Sequence, residues 1–132
     1  MEIQTKVLPL GGIGDLYSIV AKEITDDGGV FHLHLNPECI IYKAHFPEQP
    51  ITPGVCITQI AVELAENVVG HSLQMIGIKN VKFLSIMTPD SQTEVIYNIT
   101  IKSSDDKETR IQAVAQSDDV VYAKMSLICK RL

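Results

Sequence analysis

Between positions 45 and 55 the chain reads His45-Phe46-Pro47-Glu48-Gln49-Pro50-Ile51-Thr52-Pro53-Gly54-Val55. Proline fixes its own φ and pushes the preceding residue into an extended conformation, so a segment with Pro47, Pro50 and Pro53 cannot run as helix. From Val55 to Val69 there is no proline or glycine, and apolar residues recur at 57, 60, 61, 64, 65 and 68. That spacing is helical. A stiff, extended loop therefore delivers a histidine close to the N-terminus of one long helix. Only Thr58, Gln59, Glu63, Glu66 and Asn67 interrupt the helix's apolar surface, so it must be covered nearly all round.

The rest of the chain supplies the cover. Residues 16–25 are rich in β-formers, Asp26-Asp27-Gly28-Gly29 is a turn signal, and Val30 to Leu35 alternates, with Phe31, Leu33 and Leu35 on one face. These features predict a β-hairpin over 16–35. Asn36-Pro37 opens an irregular approach to His45, and Gly70 is placed to cap the helix C-terminus. Four β-rich segments follow at about 73–85, 93–103, 108–117 and 120–130, separated by Thr88-Pro89-Asp90-Ser91, Ser104-Asp105-Asp106-Lys107 and Ser117-Asp118-Asp119. Three hairpin links in succession predict an antiparallel meander. The expected fold is α+β: an antiparallel sheet of about six strands wrapped around one central helix. Residues 1–132 are expected to form one domain, with 1–15 an irregular N-terminal arm. Gly11-Gly12-Ile13-Gly14 lacks the preceding strand and following Lys-Ser/Thr of a phosphate loop.

Composition narrows the partners. A net charge of -5 argues against nucleic acid and anionic membranes, which attract basic surfaces. No apolar run is long enough to span a bilayer, and the first residues do not resemble a signal peptide. Cys39, Cys56 and Cys129 are an odd set within apolar sequence and read as buried thiols, which makes the cytoplasm the expected compartment.

The chemistry gathers where the loop meets the helix. The first N–H groups of a helix have no internal partner and carry its positive dipole end, so they can hold an anion or a developing oxyanion. A histidine beside them adds a base that titrates near neutrality. A carboxylate on so apolar a helix is costly unless paired or at a wet site, which singles out Glu63. Cys56 lies in the first helical turn, but Val55 and Ile57 beside it favour packing over nucleophilic chemistry. His32 and His34 share a strand face; with no third ligand nearby they read as solvated rather than metal-binding.

The strand-strand-helix-four-strand order with His-Phe-Pro before the helix resembles the hotdog fold. More narrowly, it is similar to the 3-hydroxyacyl-acyl-carrier-protein dehydratases, the FabA/FabZ-like group. That family's motif His-Phe-Pro-x-x-Pro-x-x-Pro-Gly-Val is matched by His45 through Val55 at every fixed position. Gly77-Ile78-Lys79-Asn80-Val81-Lys82-Phe83 is similar to its Gly-Ile-x-x-Val-x-Phe strand, and Pro89 falls at its proline turn. The resemblance spans roughly 16–130, although the tyrosine-proline motif of the FabZ branch is missing from the N-terminus.

The resemblance implies that His45 is the base acting on the α-proton of a 3-hydroxyacyl thioester. It further implies that the Gly54 N–H polarises the thioester carbonyl, and that Phe46, Pro53 and Val55 line the substrate site. The family's helix acid stands fourteen residues after the histidine; here that residue is Gln59, an amide that cannot donate a proton as an acid. Glu63 follows one turn later on the same face, about 6 Å along the axis, where many FabZ-type sequences carry glutamine. Gln59 and Glu63 are thus the candidates for the second half of the site. No cofactor or metal is implied. The expected partners are an acyl carrier protein or coenzyme A thioester and a second copy of the chain, forming a homodimer with the acyl tunnel at its interface. The implied activity is a hydro-lyase of fatty-acid-like or specialised lipid or polyene synthesis. The alternatives are a hotdog acyl thioesterase, with Glu63 activating water, and a non-catalytic acyl-binding subunit.

Overall fold

The computed structural model describes residues 16–45, 48–89 and 94–132, with His45 described by its backbone alone. Strands β1 (Tyr17–Thr25) and β2 (Gly28–Leu35) form the N-terminal hairpin, helix α1 (Ile40–His45) follows, and α2 (Gly54–Val69) is the long helix. Strands β3 (Leu73–Phe83), β4 (Val95–Ser104), β5 (Thr109–Ser117) and β6 (Val120–Arg131) complete the chain. All six strands form one antiparallel sheet in the order β1-β2-β4-β5-β6-β3. The arm expected over 1–15 lies outside the described residues.

Period-two alternation gives the sheet one apolar face. Phe31, Leu33 and Leu35 on β2, Val95, Tyr97 and Ile99 on β4, and Met125, Leu127 and Cys129 on β6 are all buried. That face lies against α2, which packs on β2, β3, β4, β5 and β6. The helix fills the concavity with Ile60, Ala61, Leu64 and Ala65, each 0% exposed. This is the hotdog fold. Gly70 ends the helix at φ 81, a left-handed conformation that costs an ordinary L-residue, and its N–H bonds the Glu66 carbonyl at 2.9 Å.

Two expectations are corrected. The approach to His45 is not irregular throughout, because residues 40–45 form a short helix. Asn36 starts that turn: its side-chain oxygen accepts the Glu38 N–H at 3.0 Å and its carbonyl accepts the Cys39 N–H at 3.1 Å. Nor do the last four strands form a simple meander. β4-β5 and β5-β6 are hairpins, but β3 pairs with β6 at the far edge, so β3 and β4 are not neighbours in the sheet and no hairpin joins them. Past the end of β3 the Leu84 N–H still bonds Tyr122 O at 2.8 Å, which carries the chain along β6 and away from β4.

Candidate active site

The proline frame ends as its chemistry requires. Pro53 occupies the N-cap of α2 at φ -63 and ψ 147, extended, and contributes no side-chain cap. Its carbonyl accepts the N–H groups of Cys56 and Ile57 at 3.0 and 3.1 Å, and the first turn carries no acidic residue. The helix begins at Gly54, one residue before the sequence pattern suggested. A side chain at Gly54 would meet the Phe83 ring, whose nearest atom lies 2.8 Å from the position of a Cβ. Phe83 therefore sits over the first residue of the helix, which joins the second motif strand to the first motif.

Two hydrogen bonds pin the loop. The phenol of Tyr42 on α1 meets the Thr52 hydroxyl at 2.8 Å, both buried, and the Thr52 N–H bonds Met87 O at 2.8 Å. Thr52 is thus tied both to α1 and to the stretch after β3. His45 itself closes α1 as backbone; its side chain, like Phe46 and Pro47, lies outside the described residues. At the base of the first helical turn, the Tyr97 phenol donates to Ile57 O at 3.0 Å. Pro53 is half-buried beside Gly54, and Val55 is 54% exposed.

The two polar helix residues come together. Glu63 is buried; its Oε1 accepts the Tyr17 phenol at 2.7 Å and its Oε2 accepts Gln59 Nε2 at 3.3 Å. Asn67 Nδ2 bonds the Glu63 carbonyl at 3.1 Å, and Lys22 Nζ reaches Asn67 Oδ1 at 3.4 Å. A buried carboxylate needs donors, and the chain answers with β1 as well as with the helix. The sequence pattern brought out neither Tyr17 nor Tyr42. The legible signal for Tyr17 was a residue with a polar tip on the inward face of a strand, in a fold whose central helix carries a glutamate.

Burial acts on the titratable groups of this region in one direction. The Tyr17 phenol is held well above its ordinary range by desolvation first and then by the Glu63 charge, and Tyr42 is raised chiefly by desolvation. Burial pushes the Cys56 thiol from an ordinary value near 9 up to about 11, with Cys39 and Glu63 adding to it, and Cys129 is likewise pushed up to about 11. A thiol this basic is a packed side chain and not a nucleophile. A pH dependence follows. These acids ionise sooner in the unfolded chain, so the unfolded state binds fewer protons and stability is lost as pH rises from about 9 toward 11. Urea midpoints taken across that interval should fall steadily, and alkylation of Cys56 at neutral pH should await unfolding.

Elsewhere, His32 bonds Glu94 and His34 is exposed. Among the described residues no group of three or more His, Cys, Asp or Glu side chains is placed to hold a metal, and no helix is long and apolar enough to cross a membrane.

The hotdog sheet thus holds a long helix with an uncapped start and a buried polar cluster. Residues 21–126 match the ApeI-like family model, ApeI dehydratase. The chain belongs to the ApeI-like dehydratase family. It is 28% identical over 97 residues to the 3-hydroxyacyl-acyl-carrier-protein dehydratase FabZ of Cupriavidus taiwanensis, over 67% of this chain and 64% of that one. The chain thus spans just under two thirds of the length of that curated relative. In fold it is similar to a chain of the dehydratase heterocomplex ApeI:P from Xenorhabdus doucetiae, with a TM-score of 0.73 at 18% identity over 86% of this chain and 96% of that one. It is also similar to a hypothetical thioesterase from Streptococcus pneumoniae solved with coenzyme A, with a TM-score of 0.65 at 8% identity over 88% and 85% of the two chains. At such identities the likeness is one of fold alone.

Proposed function

We propose that this chain dehydrates 3-hydroxyacyl thioesters, carried by acyl carrier protein or coenzyme A, to trans-2-enoyl thioesters, and catalyses the reverse hydration. The observation that carries this reading is the helix start at Gly54. It has no side-chain cap, follows directly on the His45 loop, and is held there by the Tyr42–Thr52 and Thr52–Met87 bonds. A thioester carbonyl placed at the Gly54 N–H is polarised as enolate charge develops, helped by the positive dipole end of α2. That acidifies the α-proton for His45. Taking it forms an imidazolium and breaks the C–H bond; the electron pair moves to the enolate, then expels the 3-hydroxyl, which leaves as water once protonated. Phe46, Pro53 and Val55 flank the acyl chain, with Gln59 and Glu63 on the hydroxyl side.

Thioester hydrolysis is the second reading, favoured by the fold likeness to the thioesterase solved with coenzyme A. It asks Glu63 to activate water, yet that carboxylate is buried and both its oxygens already accept hydrogen bonds. The dehydratase reading is the better fit. A homodimer also fits it: β3 is an edge strand, and Ile76, Ile78, Phe83, Leu84 and Ile86 on and just beyond it are more than half exposed. We take the chain as one cytoplasmic domain of fatty-acid-like or specialised polyene synthesis. Purified protein given a trans-2-enoyl pantetheine thioester should consume the conjugated enoyl group with no release of free thiol. Thiol release without hydration would favour the esterase, and no turnover on either carrier across several chain lengths would favour the acyl-binding subunit.

A further inference from the structure

We propose that Tyr17 and Glu63 position the Gln59 amide so that the site offers an acceptor oxygen, and so selects a 3-hydroxyl group over a 3-oxo group. The inference rests on the dehydratase reading for the place of the substrate. Its geometry is independent of that reading. The Gln59 amide donates through Nε2 to Glu63 Oε2 at 3.3 Å, so its NH2 is turned toward the carboxyl group. The amide is planar, with oxygen and nitrogen on opposite sides of the terminal carbon, so the oxygen then faces away from Glu63. Among the described residues that oxygen has no hydrogen-bond partner, and Gln59 is only half-buried.

Glu63 is fixed in turn. The Tyr17 phenol donates to Oε1 at 2.7 Å from the first residue of β1, a strand 46 positions away in sequence, with Tyr17 itself 3% exposed. Asn67 holds the backbone of the same helical turn through the Glu63 carbonyl at 3.1 Å. Donation from Tyr17 to Glu63 and from Gln59 to Glu63 turns Gln59 Oε1 outward. Tyr17 and Glu63 are positioning residues, acting through Gln59.

An outward acceptor oxygen has a definite preference. It accepts from a 3-hydroxyl, gains nothing from a 3-methylene, and repels a 3-oxo oxygen, which is also an acceptor. A carboxylic acid at this position would donate to either oxygen. The amide also supplies no proton, so the departing oxygen takes the one that His45 removed from C2. The hydroxyl then leaves as water, and the imidazole returns to its neutral form with atoms and charge balanced. One titrating group serves both steps, so the dehydration profile should show a single acidic limb as His45 protonates. An acid–base pair would give a bell.

The test uses pantetheine amides, in which nitrogen replaces the thioester sulfur, bearing 3-hydroxyacyl, 3-oxoacyl or saturated chains of one length. Binding is measured by calorimetry. The wild-type protein should bind the 3-hydroxy ligand roughly five- to tenfold more tightly than the 3-oxo ligand, as one hydrogen bond allows. Tyr17→Phe should bring that ratio to within about twofold while leaving affinity for the saturated ligand unchanged, which a general loss of structure would not do. Gln59→Met, at a half-buried helix position, should also erase the ratio and serves if the Tyr17 variant does not fold. Equal binding of the two ligands by the wild type, or an undiminished ratio in Gln59→Met, overturns the inference. Because binding needs no turnover, selective binding without hydration would count against the dehydratase reading alone. Hydration without selectivity would count against this inference alone.

Discussion

His45→Ala is expected to lower hydration of a trans-2-enoyl thioester by about 10²- to 10⁴-fold, the range over which a positioned general base acts, while leaving the fold intact. Pro47, Pro50 and Pro53 stiffen the path between His45 and the helix, and Tyr42 and Thr52 join its two flanks at 2.8 Å. The substitution keeps all three prolines and the Tyr42–Thr52 pair, so the melting temperature should hardly move. Stopped-flow or steady-state loss of enoyl absorbance, read beside a thermal melt, separates the two quantities. A rate kept within about threefold of wild type would remove His45 from the chemistry, since a base in this role is worth at least ~10².

Leu64→Ala should have the largest effect on stability, about 2–5 kcal/mol. Leu64 is 0% exposed at the middle of α2, and the sheet encloses that helix from several strands at once. The surrounding strands are tied into a continuous ladder and cannot collapse into the vacated space, so the transfer cost and a cavity cost both apply. Against a total of about 5–15 kcal/mol for a domain, that is a large share. Chemical denaturation with the slope held constant measures it. A loss under 1 kcal/mol would mean that the helix is not the enclosed centre of the fold.

Much of this was legible in the chain, for reasons that differ from place to place. The hairpin was readable because Phe31, Leu33 and Leu35 alternate cleanly after a turn-forming Asp26-Asp27. α2 was readable from spacing and from its borders, with Pro53 and Gly70 ending up at its two caps. The position of β3 was not readable. A turn-rich separator says that the chain changes direction, but not which strand the next segment joins, and here the partner of β3 is β6. α1 escaped because six residues give too little repeat for a helical period to show. At the site, the proline-glycine frame, Gln59 and Glu63 were visible as local sequence. Their meeting with Tyr17 was not, because β1 reaches that carboxylate only through the fold. A glutamate in an apolar helix announced that it needed a partner; only the structure says which one.

The central claim is that water is added to or removed from C2–C3 while the thioester stays whole. The direct measurement is to incubate the protein with a trans-2-enoyl pantetheine thioester in water enriched in a heavy oxygen isotope and to locate the label by mass spectrometry. The dehydratase account predicts heavy oxygen at C3 of an intact 3-hydroxyacyl thioester, and none at C1. Heavy oxygen in a free carboxylate, with pantetheine released and C3 unlabelled, would contradict it.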